Sequence, residues 1–177
     1  KSIFLKRIFF IELSLIYSYI ALISYRVYLK FMSITIRYKN SLSKENISNL
    51  ILFVDEKFNI SHLKKHISKS EYSFISDLLK TRDMKKKILF FDINSKRKIS
   101  LISFKKNLTN SEAENLGAKF IDLTKDFKQN FYNLNSDTIS KNTKNLLGYF
   151  LHGLKLKSYK FEKYKTKKDK KIILISV

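Results

Sequence analysis

Short apolar runs alternate with amphipathic stretches along most of this chain, and that alternation constrains its fold more than any other feature. Residues 33–38 (SITIRY) alternate polar and apolar side chains, the period of a half-buried strand. Residues 49–55 (NLILFVD), 87–93 (KILFFDI), 99–104 (ISLISF) and 172–177 (IILISV) are short apolar runs with polar flanks, as buried strands are. Residues 131–134 predict one more short strand. Between these runs the spacing changes to three and four. Ile60, Leu63 and Ile67 share one helical face, and residues 71–80 place Phe74, Ile75, Leu78 and Leu79 on another. Thr109 and Glu112 form a capping-box pattern that opens a helix over about 109–127, carrying Ala113, Leu116, Phe120, Leu123 and Phe127. Residues 142–152 predict a last helix through Leu146, Leu147, Phe150 and Leu151, with Gly153 as a left-handed C-cap. Strands that alternate with helices imply an α/β domain: a mixed, mostly parallel sheet flanked by helices.

Composition narrows the chemistry. With no cysteine, disulfides, thiol nucleophiles and cysteine-based metal sites are excluded. The net charge of +21 suggests a polyanionic partner or an anionic membrane. Only five of the 36 basic residues are arginine, however, the residue suited to bidentate phosphate and guanine contacts. The chain has no Pro or Trp and three Gly, and is rich in Lys, Ile, Asn, Phe and Tyr, residues with A/T-rich codons. Codon bias therefore explains most of the charge better than a nucleic-acid partner does.

Residues 1–31 stand apart. Within them, residues 8–25 (IFFIELSLIYSYIALISY) carry one charge, Glu12, and approach the length of a bilayer span. Basic residues on both flanks give no orientation. A membrane anchor, a core segment and a non-native extension ahead of a domain starting at Met32 are the competing readings.

The candidate catalytic groups are sparse. His62 and His66 are spaced four apart, but Leu63 stands where a zinc-protease helix needs Glu, so a solvated helical face is expected. His152 is expected near a helix end, where a polar ring suits the dipole. Gly117, Gly148 and Gly153 are isolated, so no glycine-rich phosphate loop exists. The carboxylate pairs Asp55–Glu56 and Asp122–Asp126 read as turn, cap or surface groups. No catalytic, cofactor-binding or metal-binding residue is expected in this chain. Six lysines between Lys163 and Lys171, preceded by Tyr159, Phe161 and Tyr164, could stack and neutralise single-stranded nucleic acid, or could form a solvated connection.

Residues 153–165 read GLKLKSYKFEKYK. Gly153, Leu154, Leu156, Tyr159, Phe161, Tyr164 and Lys165 resemble, in register, the Gly-Leu-x-Leu-x-x-Tyr-x-Phe-x-x-Tyr-Lys run of the leucyl (cytosol) aminopeptidase family. In that family the run closes an N-terminal domain of macro-domain-like fold. The order of elements upstream fits the same domain, and the resemblance covers residues 32–177. It implies a parent that removes N-terminal amino acids from peptides in the cytoplasm, works as a homo-hexamer and uses two divalent metals (Mn or Zn). The metal ligands and the bicarbonate-holding Arg of the family lie in a C-terminal catalytic domain, around an Asn-Thr-Asp-Ala-Glu-Gly-Arg motif that this chain lacks. The resemblance therefore implies a structural and oligomerisation domain whose partners are its own catalytic domain and its copies, and Tyr159, Phe161 and Tyr164 are expected to pin the final connection onto the sheet.

Overall fold

In β2 (Asn49–Val54) every residue is buried, yet the strand still obeys a period of two. Ile51 and Phe53 enter one apolar cluster, and Leu50, Leu52 and Val54 enter another. A strand with both faces covered has to be central in a layered α/β fold. The computed structural model describes residues 34–38, 49–83, 85–127 and 131–159, and the backbone of 173–176. The expected anchor over 8–25, the Met32 boundary and the lysine run all lie outside these residues. No helix among the described residues is long and apolar enough to cross a membrane.

Six strands form one sheet: β1 (Ile34–Arg37), β2, β3 (Ile88–Asn94), β4 (Arg97–Ser103), β5 (Phe131–Leu134) and β6 (Ile173–Ser176). Their spatial order is β1-β6-β5-β2-β4-β3. All neighbours are parallel except β3 and β4, an antiparallel hairpin that turns between Asn94 and Arg97. The fold is mixed α/β, a mostly parallel sheet flanked by helices, as expected.

Helix α1 (Lys69–Leu79) covers one face with Ile75 and Leu79, helped by Leu63 and Ile67 from the short 3-10 turn Ser61–Lys65 and the residues after it. Phe74, expected on that face, is instead exposed. Helices α2 (Asn110–Thr124) and α3 (Leu146–Ser158) cover the other. Both α1 and α2 open with reciprocal capping boxes: the Ser68 and Thr109 hydroxyls accept from the Glu71 and Glu112 amides, and those carboxylates accept from the Ser68 and Thr109 amides. Under α2 and α3, Phe120 packs edge-on against Tyr132 and Phe150, with centroids 5.5 and 6.4 Å away.

The expected C-cap at Gly153 is not there. Helix α3 runs through it to Ser158, and no glycine among the described residues has a positive φ. The buried series Leu146, Phe150, Leu154 and Ser158 continues the helical stripe past the glycine, and that packing overrides its poor propensity. Gly153 is glycine because of its neighbour. A Cβ there would lie 1.9 Å from the Glu114 carbonyl oxygen of α2. Reciprocally, a Cβ on Gly117 would lie 2.1 Å from the Phe150 carbonyl oxygen of α3. The two glycines let the helix backbones touch where they cross.

Candidate functional site

The chain leaves β2, passes through α1 to the β3–β4 hairpin on one side, and returns through α2 to β5 on the other. β2 is thus a switch point, where open α/β sheets commonly carry a crevice at their carboxyl ends. A cleft of about 550 Å³ lies there. Phe53, Val54 and Phe104 line its base, and Asp55, His62 and the 137–143 segment form its rim.

Local hydrogen bonding shapes that rim. Asp55 Oδ1 accepts from the amides of Lys57 (3.0 Å) and Asn59 (2.9 Å), which folds the turn after β2. Phe58 in this turn has φ of 54°, an unusual conformation for a bulky residue, and is held there by burial of its ring. The end of β2 is tied on both sides. The Phe53 amide donates to Thr138 Oγ1 (2.9 Å), and the Thr138 hydroxyl donates to the Asn135 carbonyl (2.7 Å). His62 Nε2 donates to the Phe53 carbonyl (3.1 Å).

Asn135 is the second knot. Its Oδ1 accepts from the Asp137 amide (3.0 Å), so its Nδ2 donates to His66 Nδ1 (2.9 Å). That contact fixes His66 as the neutral tautomer with its proton on Nε2. Burial, then the nearby Lys65 charge, holds the His66 pKa below its ordinary value. His62 is exposed, as a solvated face requires, whereas His66 is half-buried, and the segment is not the α-helix that their spacing suggested. The two histidines sit on and just after a 3-10 turn and latch it to β2 and to the loop after β5. Asn135 and Thr138 escape a reading of the sequence for catalytic motifs, although Asn135-x-Asp137 is an Asx-turn pattern.

Part of the cleft's backbone is already engaged. The amides of Asp137, Thr138, Ile139 and Thr143 already donate to neighbouring oxygens, and none of the lining residues is glycine. A phosphate cradle requires amides directed at the ligand with room for close approach. Among the described residues no group of three or more His, Cys, Asp or Glu is placed to hold a metal.

The other expected residues fall elsewhere. His152 lies in the interior of α3, not near its end, and its Nδ1 is 2.8 Å from Glu114 on α2. Asp122 pairs with Lys157 at 3.1 Å. Of the 153–165 signature, Gly153 and Leu154 are buried at the α2–α3 crossing. Leu156 and Tyr159 are 56% and 50% exposed, so Tyr159 does not lie buried against the sheet as its pinning role required. Tyr149, 41% exposed, and Leu156 stand seven apart on the outward side of α3, and Tyr159 follows as the exposed, extended residue just past its end. Phe161, Tyr164 and Lys165 lie outside the described residues.

No family model and no curated protein sequence matches the chain. Solved structures do. A tomato leucine aminopeptidase mutant superposes with a TM-score of 0.55 at 14% identity, over 81% of this chain and 32% of that one. The macrodomain of Thermus aquaticus DarG superposes with a TM-score of 0.51 at 9% identity, over 81% of this chain and 97% of that one. The chain thus spans about a third of the length of the aminopeptidase it resembles. At these identities the likeness is one of fold.

Proposed function

We propose that the domain is the non-catalytic, structural domain of a leucyl-aminopeptidase-like metallopeptidase, which docks a catalytic domain and supports a homo-hexamer. The observation that carries this reading is the division of the signature along α3. Gly153 and Leu154 build the helix crossing, while Leu156 and Tyr159, with Tyr149, face outward. Exposed large apolar side chains on and just past one helix suit docking of another domain. Likeness to part of a leucine aminopeptidase, alongside the family run, favours a peptidase domain as that partner.

On this reading the two divalent metals, Mn or Zn, and the hydrolytic residues belong to the catalytic domain, and this chain contributes none. The parent works in the cytoplasm on peptides. The test is an aminoacyl-anilide assay of the full chain with added Mn or Zn. The expected result is no turnover above the metal-only blank, and metal-dependent hydrolysis by the purified chain refutes the assignment.

A further inference from the structure

The sheet's other margin carries a surface that the peptidase reading does not use. β3 is an edge strand, and among the described residues no strand pairs with its outer side. The register tells which of its backbone groups are open. The Lys87 carbonyl accepts from the Ser103 amide at 2.9 Å, toward β4. In an antiparallel ladder a residue's N–H and C=O point the same way, and the direction alternates. Lys87, Leu89 and Phe91 therefore face β4, and Ile88 and Phe90 present donor and acceptor to the free edge.

That edge is strongly basic. A cleft of about 290 Å³ along the start of β3 is lined by Arg82, Lys86, Lys87 and Lys119, with no carboxylate in its lining. None of the four makes an ion pair with a described residue. Farther along the strand, Asp92 is neutralised by Lys98. The apolar floor comes from β3 itself and from Leu123 of α2, which is 42% exposed. Natural edges are often guarded by lysine against pairing with other chains. Here cations on either side of an open, apolar-floored strand repel a basic strand and attract an acidic one.

We propose that the outer edge of β3 docks an acidic peptide segment in extended conformation, which adds to the sheet as a further strand. Its backbone pairs with Ile88 and Phe90, its carboxylates face Arg82 and Lys87 on the α1 side with Lys86 beside them, and its alternate apolar side chains meet Leu123 on the α2 side, where Lys119 adds a further cation. Two other occupants fit less well. A second copy of this chain also carries +21. A DNA backbone offers only acceptors, which leaves the outward carbonyls of Ile88 and Phe90 facing negative charge.

The probe is a fluorescein-labelled Glu-Val-Glu-Leu-Glu-Val-Glu peptide with blocked ends, measured by anisotropy against the full chain. Three comparators are used: the same peptide with Lys for Glu, the same peptide N-methylated at alternate residues, and a single-stranded oligonucleotide of equal charge. The acidic peptide is expected to bind, with affinity falling roughly tenfold or more on raising salt from low to high. The Lys and N-methylated peptides are expected to bind at least roughly tenfold more weakly. Combined K86E, K87E and K119E substitutions should weaken binding by roughly tenfold or more, with an unchanged circular-dichroism spectrum. Hydrogen exchange at the Ile88 and Phe90 amides should slow on binding, while Leu89 and Phe91 stay as they were. Absence of binding, equal binding of the N-methylated or Lys peptide, oligonucleotide binding at least as tight as the acidic peptide, or binding without protection of Ile88 and Phe90 overturns the proposal.

Discussion

Replacing Gly153 with alanine sets a methyl carbon 1.9 Å from the Glu114 carbonyl oxygen, and replacing Gly117 sets one 2.1 Å from that of Phe150. A relaxed carbon–oxygen contact needs about 3.3 Å, so either change must push the α2 and α3 backbones apart by more than ~1 Å in a close-packed interior. Overpacking of this kind costs about 1–3 kcal/mol and sometimes more. Alanine returns about 1 kcal/mol through helix propensity. Because the obstacle here is backbone and not a movable side chain, the upper end of the range applies, and the net loss should be about 2 kcal/mol for each substitution. Gly148 supplies the control within the same helix, because a Cβ there meets nothing within 4 Å. Gly148→Ala should stabilise by about 0.5–1 kcal/mol. The assay is urea unfolding followed by circular dichroism, with the m-value checked for constancy. The Gly117→Ala/Gly153→Ala double variant should lose less than the sum of the singles, since one displacement of the helices relieves both clashes. A Gly153→Ala variant that is stabilised like Gly148→Ala would refute the backbone contact as the reason for the glycine.

Four further outcomes follow from the same geometry. His66 has its pKa lowered by burial, so the unfolded chain binds its proton first; the stability it confers is complete above about pH 6.5 and declines as pH falls below that. An NMR titration of the His66 ring should show the depressed pKa, and Asn135→Ala should move it; an ordinary value in both proteins contradicts the Asn135 contact. Glu112 is held down to about 2, first by the Lys105 hydrogen bond and then by the Thr109 amide, so its contribution is present above about pH 4.5 and is lost as pH falls toward 2. Acid unfolding of Lys105→Met should begin at higher pH than that of the parent. Thr138→Val removes the acceptor of the buried Phe53 amide and should cost about 1–3 kcal/mol in urea unfolding, against little for Ser140→Ala on the same rim. At Phe58, glycine should be more stable than alanine by roughly 1 kcal/mol, the reverse of the order expected at negative φ, because both lose the ring and only glycine relieves the backbone.

Strand positions and the α/β class are legible in the sequence because each buried run is short and has polar flanks, and because Thr109 and Glu112 mark a helix start without help from tertiary structure. Ser68 and Glu71 carry the same capping pattern at α1, but the helical spacing of Ile60, Leu63 and Ile67 runs up to it and hides it. Gly153 misleads because a glycine late in an apolar stripe looks like a stop, and its real cause is a carbonyl thirty-nine positions away in sequence, at Glu114. His62 and His66 mislead for a related reason. Their spacing describes an α-helix, whereas the segment forms a 3-10 turn whose two rings reach different strand ends. The bonds that shape the cleft join Phe53 to Thr138 and His66 to Asn135 across 85 and 69 positions, and no local pattern encodes such pairs.

Docking of a catalytic domain on the outward face of α3, as proposed, can be measured by co-expressing the full chain with a leucyl aminopeptidase catalytic domain stripped of its own N-terminal domain and determining the mass of the purified product by light scattering. A stable complex containing both chains is expected, dispersed to its components by Leu156→Glu in a variant that keeps its melting temperature, since Leu156 is an exposed position. Co-purification that is indifferent to Leu156→Glu, or no complex at all, would contradict it.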